Sequence, residues 1–165
     1  MAVRNCKEIG ENLRKIVLRL MSNDTLVNLL FYTDQDPLNQ PALTEDQKKK
    51  EIYNNLITIL PTIGDKAKEI SQSYVSLIVS RGEGLEENTE FRDITLTINI
   101  FVPNTQWIIK NENLRPFLIL GEIQETLKGK TVNGLGKIRG GDFSINFFTE
   151  EITCYEQVFY ITSYD

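Results

Sequence analysis

The chain has 165 residues, close to one domain's worth and enough to bury a core without a disulfide or a metal. Its 41% hydrophobic and 25% charged residues exclude a disordered chain, a collagen and a coiled-coil rod. A net charge of −5 argues against a general DNA binder, because phosphate affinity comes from clustered Lys and Arg.

The sequence has no histidine, which removes His-based triads, His-containing zinc sites and the commonest general base near neutral pH. Cys6 and Cys154 stand near opposite ends and form no CxxC pair, so a zinc ribbon or thioredoxin-type site has no support. Both are expected to be free, small and mostly buried thiols, as in a cytosolic protein. No apolar run has signal-peptide length at the N-terminus, and none approaches the roughly 18 residues of a membrane span. The expectation is a protein made and kept in a cytoplasm, with no membrane partner.

Cys6, Ile9, Leu13, Ile16, Val17 and Leu20 recur at spacings of three and four, which predicts an amphipathic helix. Ser22-Asn23-Asp24-Thr25 breaks the pattern and offers a new N-cap for a short helix carrying Leu26 to Phe31. Asp34 to Leu43, with Pro37 and Pro41, reads as a loop. Thr44 and Gln47 fit a capping box, and a helix or partly extended piece follows through Ile57, with Pro61 as its stop. Ile57 to Leu60 fits a short strand equally well.

The period then changes. Tyr74 to Ser80 is rich in strand formers, Arg81 to Glu90 is polar, and Ile94 to Ile100 alternates strictly. This predicts a long antiparallel hairpin whose second strand is half-buried and ends at Pro103. Trp107 to Lys110 reads as another short strand. Arg115-Pro116 starts a helix with Pro in its first turn, and Lys128-Gly129 stops it. Glycines from Gly134 to Gly141 precede two closing strands, one carrying Phe143 and Ile145 and one running from Tyr155 to Ile161. There is no internal repeat. The order predicts a single α+β domain over residues 1–165, an antiparallel sheet with helices packed on one face. Residues 1–65 are mainly helical, and 70–165 hold the hairpin, a helix and the C-terminal strands.

Candidate chemistry is sparse. Gly134-Leu135-Gly136-Lys137-Ile138 has neither the spacing nor the following Ser or Thr of a phosphate loop, and reads as a turn with a bulge. Asp34, Asp36 and Glu45 mimic the ends of a calcium loop, but Leu38 cannot ligate and Asn39 stands where the turn needs Gly. Asp93, Glu112 and Asp142, the acids an all-carboxylate enzyme would need, show no recognisable spacing. Lys48-Lys49-Lys50 reads as a solvated helix face. Glu83, Glu86, Glu87 and Glu90 read as a solvated acidic loop able to meet a basic partner. Trp107 reads as an anchor, in the core or at an interface. The expectation is a non-enzyme without catalytic residue, metal or cofactor.

The segment Phe91 to Pro103, then Trp107, Arg115-Pro116, Gly121-Glu122-Ile123, Gly134-Leu135-Gly136 and the closing Tyr155 to Tyr164, resembles the tail-terminator and tail-completion proteins of tailed bacteriophages. The resemblance is one of layout over roughly residues 70–165. It implies a structural virion protein of the neck, assembled in the host cytoplasm. The family's ring, usually a hexamer, caps the tail tube and joins it to the head connector. Its implied partners are further copies, the tail-tube protein and the connector proteins, with no specific nucleic-acid sequence. Arg81 to Glu90 and Gly134 to Gly141 are then the expected contact surfaces, with Arg81, Glu83, Glu86, Glu87, Trp107, Lys137 and Arg139 as candidate interaction residues. The alternatives are a head-completion or adaptor subunit of the same neck, and a small monomeric binding or inhibitor module.

Overall fold

A computed structural model describes residues 6–59, 72–84, 91–132 and 136–162. The first helix, α1 (Cys6–Met21), buries Leu13, Ile16, Val17, Leu20 and Met21, the stripe that the three-and-four spacing predicts. Asn23 then caps α2 (Asp24–Phe31), its side-chain oxygen accepting from the Leu26 N–H at 3.0 Å. Cys6 is exposed, which corrects the expectation of two buried thiols; Cys154 is buried, and both are free. In the following loop Asp36 accepts from Asn39 and pairs with Lys110 at 2.8 Å, so its carboxylate is engaged by partners of the same chain at the surface.

The Thr44 capping box forms as expected, with both reciprocal bonds present, and opens α3 (Glu45–Gln47), which continues as a wider turn over Lys48–Ile52. That helix stops at Ile52, well before Pro61, which lies outside the described residues. Tyr53 is extended and Asn54 adopts a left-handed φ of 59°, a conformation Asn tolerates. Chain reversal at Asn54 frees Ile57–Thr58 to form β1, parallel to Val75 and Ser76.

The main sheet has the order β1, β2, β3, β8, β7, β6 and is curled, mixed and mostly antiparallel. Its long strands are β2 (Tyr74–Gly84), β3 (Phe91–Pro103), β7 (Gly136–Phe148) and β8 (Ile152–Thr162). A two-residue β6 (Thr131–Val132) flanks β7, and β4 (Ile108–Ile109) pairs with β5 (Asn113–Leu114) in a separate ribbon. Two sequence expectations change here. The strand β2 runs through Arg81 to Gly84, so these four residues are strand and not loop. And β3 is not half-buried along its length: beyond Leu96 both of its faces are covered, including Thr97, Asn99 and Phe101.

Cross-strand pairs assign the two faces. Ile94, Leu96, Ile98, Ile100 and Val102 share one face with Leu77, Tyr155, Gln157 and Phe159. The helix α4 (Arg115–Leu127) lies over it with Pro116, Ile119, Leu120, Ile123 and Leu127 buried. Gln157, fully buried, donates from that face to Leu120 O at 3.4 Å and Gly141 O at 3.1 Å, tying helix to sheet. The helices α1 and α2 pack on α4, completing the α+β architecture with helices on one face. The other face is covered at one end, where Tyr74 stacks on Phe101 at 4.4 Å, and open at the end bearing Arg81 and Arg139.

Candidate functional site

The long strands at both margins of the sheet are mostly unpaired on their outer sides among the described residues. On β2 a neighbouring strand covers Val75 and Ser76, and on β7 the outer side is covered from Gly136 to Ile138, whose N–H donates to Lys130 O and whose carbonyl accepts from the Gly129 N–H. Short stubs therefore shield one end of each margin. Such unpaired N–H and C=O rows are templates for another strand.

The predicted interaction residues fall on both margins. Arg81 and Glu83 project from the open face of β2 and pair with each other at 2.8 Å, with side chains 72% and 41% exposed. Lys137 and Arg139 project from the same face of β7 and are exposed. Two strands separate the pairs, so they do not meet within one chain. Glu86 and Glu87 lie outside the described residues. Asp93 and Asp142 sit on different strands, four residues apart along β8, and Glu112 belongs to the turn between β4 and β5. The structure does not bring these three acids together.

Trp107 is half-buried against the core, its ring 6.1 Å from that of Tyr155. It lines a shallow cleft of about 460 Å³ with Gln35, Asn104, Thr105 and Ile108. Hydrogen bonds hold the cleft floor: Asn104 donates to Thr149 O and Glu150 O and accepts from Thr153.

A second feature leaves little trace in the sequence. Phe143 and Ile145 face the helix side of β7, beyond the cover of α4, and are 52% and 58% exposed. Phe117 of α4, 41% exposed, meets Phe143 at 6.0 Å and Tyr155 at 5.5 Å between ring centroids. This cluster sits on the unpaired margin of β7, and an exposed aromatic surface of this kind marks a binding face. Its only sequence signal is the alternation Phe143, Ser144, Ile145, Asn146, which a core strand would show equally.

Arg115 fixes the base of this surface. It is fully buried and donates to four backbone carbonyls, Leu29 O and Asp34 O at 2.6 Å, Tyr32 O at 2.7 Å and Gln106 O at 2.9 Å. The last turn of α2 has no basic residue of its own, so this distant guanidinium satisfies its Leu29 carbonyl and the Tyr32 carbonyl at its C-cap, while the Phe31 carbonyl accepts from Gln72 Nε2. Burial lowers the Arg115 pKa, with the Asp34 charge opposing it. Its own N–H bonds Trp107 O at 2.8 Å, so one residue holds the Trp107 turn and the start of α4 in register.

Among protein families, the chain belongs to the YomW family, whose model matches residues 23–160. This is a family of the Bacillus phage SPbeta region, which points to a phage origin but does not extend to a tail-terminator role. No curated protein matches the chain.

Proposed function

We propose that this protein is a structural subunit of a phage particle, a tail terminator that forms a ring in the neck, caps the tail tube and joins it to the head connector. The observation that carries the reading is the aromatic and apolar surface of Phe117, Phe143 and Ile145 on an unpaired strand margin. Two open margins on one sheet also suit a head-to-tail contact, the kind that closes into a ring. Membership of a phage-region family and the layout of residues 70–165 support the setting.

The first test is the solution mass of the purified protein by light scattering at two concentrations. A mass of about six subunits is expected, and Ile145→Lys should reduce it to one without changing the melting temperature. The protein should also be detected in purified particles and capture the tail-tube protein. A monomer at both concentrations overturns the ring and leaves a monomeric binding module. Absence from the particles overturns the virion role.

A further inference from the structure

We propose that a basic corner of the sheet, formed by Lys128, Lys130, Lys137 and Arg139, receives the acidic segment 85–90 of a second copy, the next one around the ring. The inference rests on the ring reading above and names its polar contact. It needs no shared strand ladder, because the groups that meet are side chains at the ends of strands.

Main-chain bonds assemble the corner. The Gly129 N–H donates to Ile138 O at 2.8 Å, and the Ile138 N–H donates to Lys130 O at 2.9 Å. These bonds set the turn after α4 beside β7, so Lys128 and Lys130 lie next to Lys137 and Arg139. All four are exposed, and none has an ion pair or side-chain hydrogen bond among the described residues. Two further cations, Lys15 and Arg19 of α1, line a hollow of about 330 Å³ with Thr131 and Val132. Arg19 reaches Thr131 O at 3.2 Å, which ties α1 to the same corner. Six cations thus gather in a chain of net charge −5. The acids nearest to them in sequence are Glu11, Glu125 and Asp142, too few to balance them.

Charge and place select the occupant. Glu86, Glu87 and Glu90, with no Lys or Arg among them, give the segment 85–90 a charge of −3. It lies outside the described residues, but both its ends are fixed, since Gly84 of β2 pairs with Phe91 of β3. Cross-strand pairs place Glu83, Asp93, Thr162 and Lys137 in one row across β2, β3, β8 and β7. The segment and the corner therefore belong to the same end of the sheet and to opposite margins, three strand spacings or about 14 Å apart. Copies set side by side bring the segment of one beside the corner of the next. Each copy then gives its acidic segment to one neighbour and its basic corner to the other, a head-to-tail contact that can close. Complementary charge of this kind fixes partner and register more than affinity. The exposed Phe143 and Ile145 lie further along the same margin, so an apolar contact continues the polar one.

Charge reversal tests the contact. One variant carries Glu86→Lys, Glu87→Lys and Glu90→Lys, and the other carries Lys128→Glu, Lys130→Glu and Lys137→Glu. By light scattering, each alone should fall from a mass of about six subunits to one. An equimolar mixture should recover the larger mass, because every segment then faces a corner of opposite charge. Melting curves check that both variants fold. Single reversals that leave the mass unchanged overturn this contact and leave the ring reading standing. So does a mixture that stays monomeric, and if one chain carrying all six changes recovers the mass instead, the two surfaces meet within a chain. A monomeric mass for the unaltered protein overturns both.

Discussion

The Arg115 guanidinium reaches 86 residues back along the chain to bond the carbonyl of Leu29 at 2.6 Å, in the last turn of α2. Four carbonyls depend on this one fork, and none has another charged donor among the bonds described above. Arg115→Lys keeps the charge but cannot reproduce the planar geometry. It should destabilise the protein by about 2–4 kcal/mol, since charge-assisted bonds contribute about 1.5–3 kcal/mol each and several are lost. Urea unfolding followed by circular dichroism reads the change as a lower midpoint with an unchanged slope.

The two cysteines should separate cleanly by reactivity. Burial, with a smaller contribution from Glu156, pushes the Cys154 thiol up to about 12, far above the range where thiolate forms near neutral pH. Cys6 is exposed. An aromatic disulfide reagent at pH 8 should therefore titrate one thiol in the folded protein and two in denaturant. Two fast thiols in the folded protein would contradict the packing of β8.

Gly140 has a φ of 91°, and a Cβ there would lie 2.9 Å from Val158 O. Gly140→Ala thus meets a left-handed backbone penalty and a backbone clash together, at a cost of about 1–3 kcal/mol. The expected readout is a lower melting temperature. Gly10, whose added Cβ meets open space, should instead accept Ala with no loss, because Ala is the better helix former.

Lys48 gives the fold an alkaline limit. Burial works against its ammonium, but the carboxylates of Asp24 at 2.7 Å and Glu45 at 3.2 Å outweigh it, and its pKa is raised. A raised pKa means that the stabilisation is complete below the unfolded lysine value of about 10.4 and is lost as pH rises through the folded value. The melting temperature should fall above about pH 10, and Lys48→Met should show a shallower fall over that window.

The sequence exposes local features of this fold well and tertiary ones poorly. The Thr44 and Gln47 capping box, the Asn23 cap and the stripe of α1 depend on neighbours within a few residues, so their spacing is enough to find them. The end of α3 at Ile52 is set by the left-handed Asn54, and an Asn gives that conformation only weakly in advance. Thr97 and Asn99 look like solvent-facing residues of an alternating strand, yet they are buried, because the second face of the sheet is covered at this end, where Tyr74 stacks on Phe101. Phe143 and Ile145 present the opposite case: their alternation is that of a core strand, and only its place near the sheet margin leaves them exposed. Arg81, Glu83, Lys137 and Arg139 are recognisable as charged surface residues, but their common face depends on register across four strands.

The reach of Arg115 has a consequence during synthesis. At roughly 5–20 residues per second, α2 leaves the ribosome roughly 4–17 s before the residue that completes its last turn. The N-terminal helices must wait for most of that time with their apolar faces uncovered, since the sheet and α4 that bury them are made later. A fragment ending before residue 115 should remain open to protease across α2, and the released full chain should not.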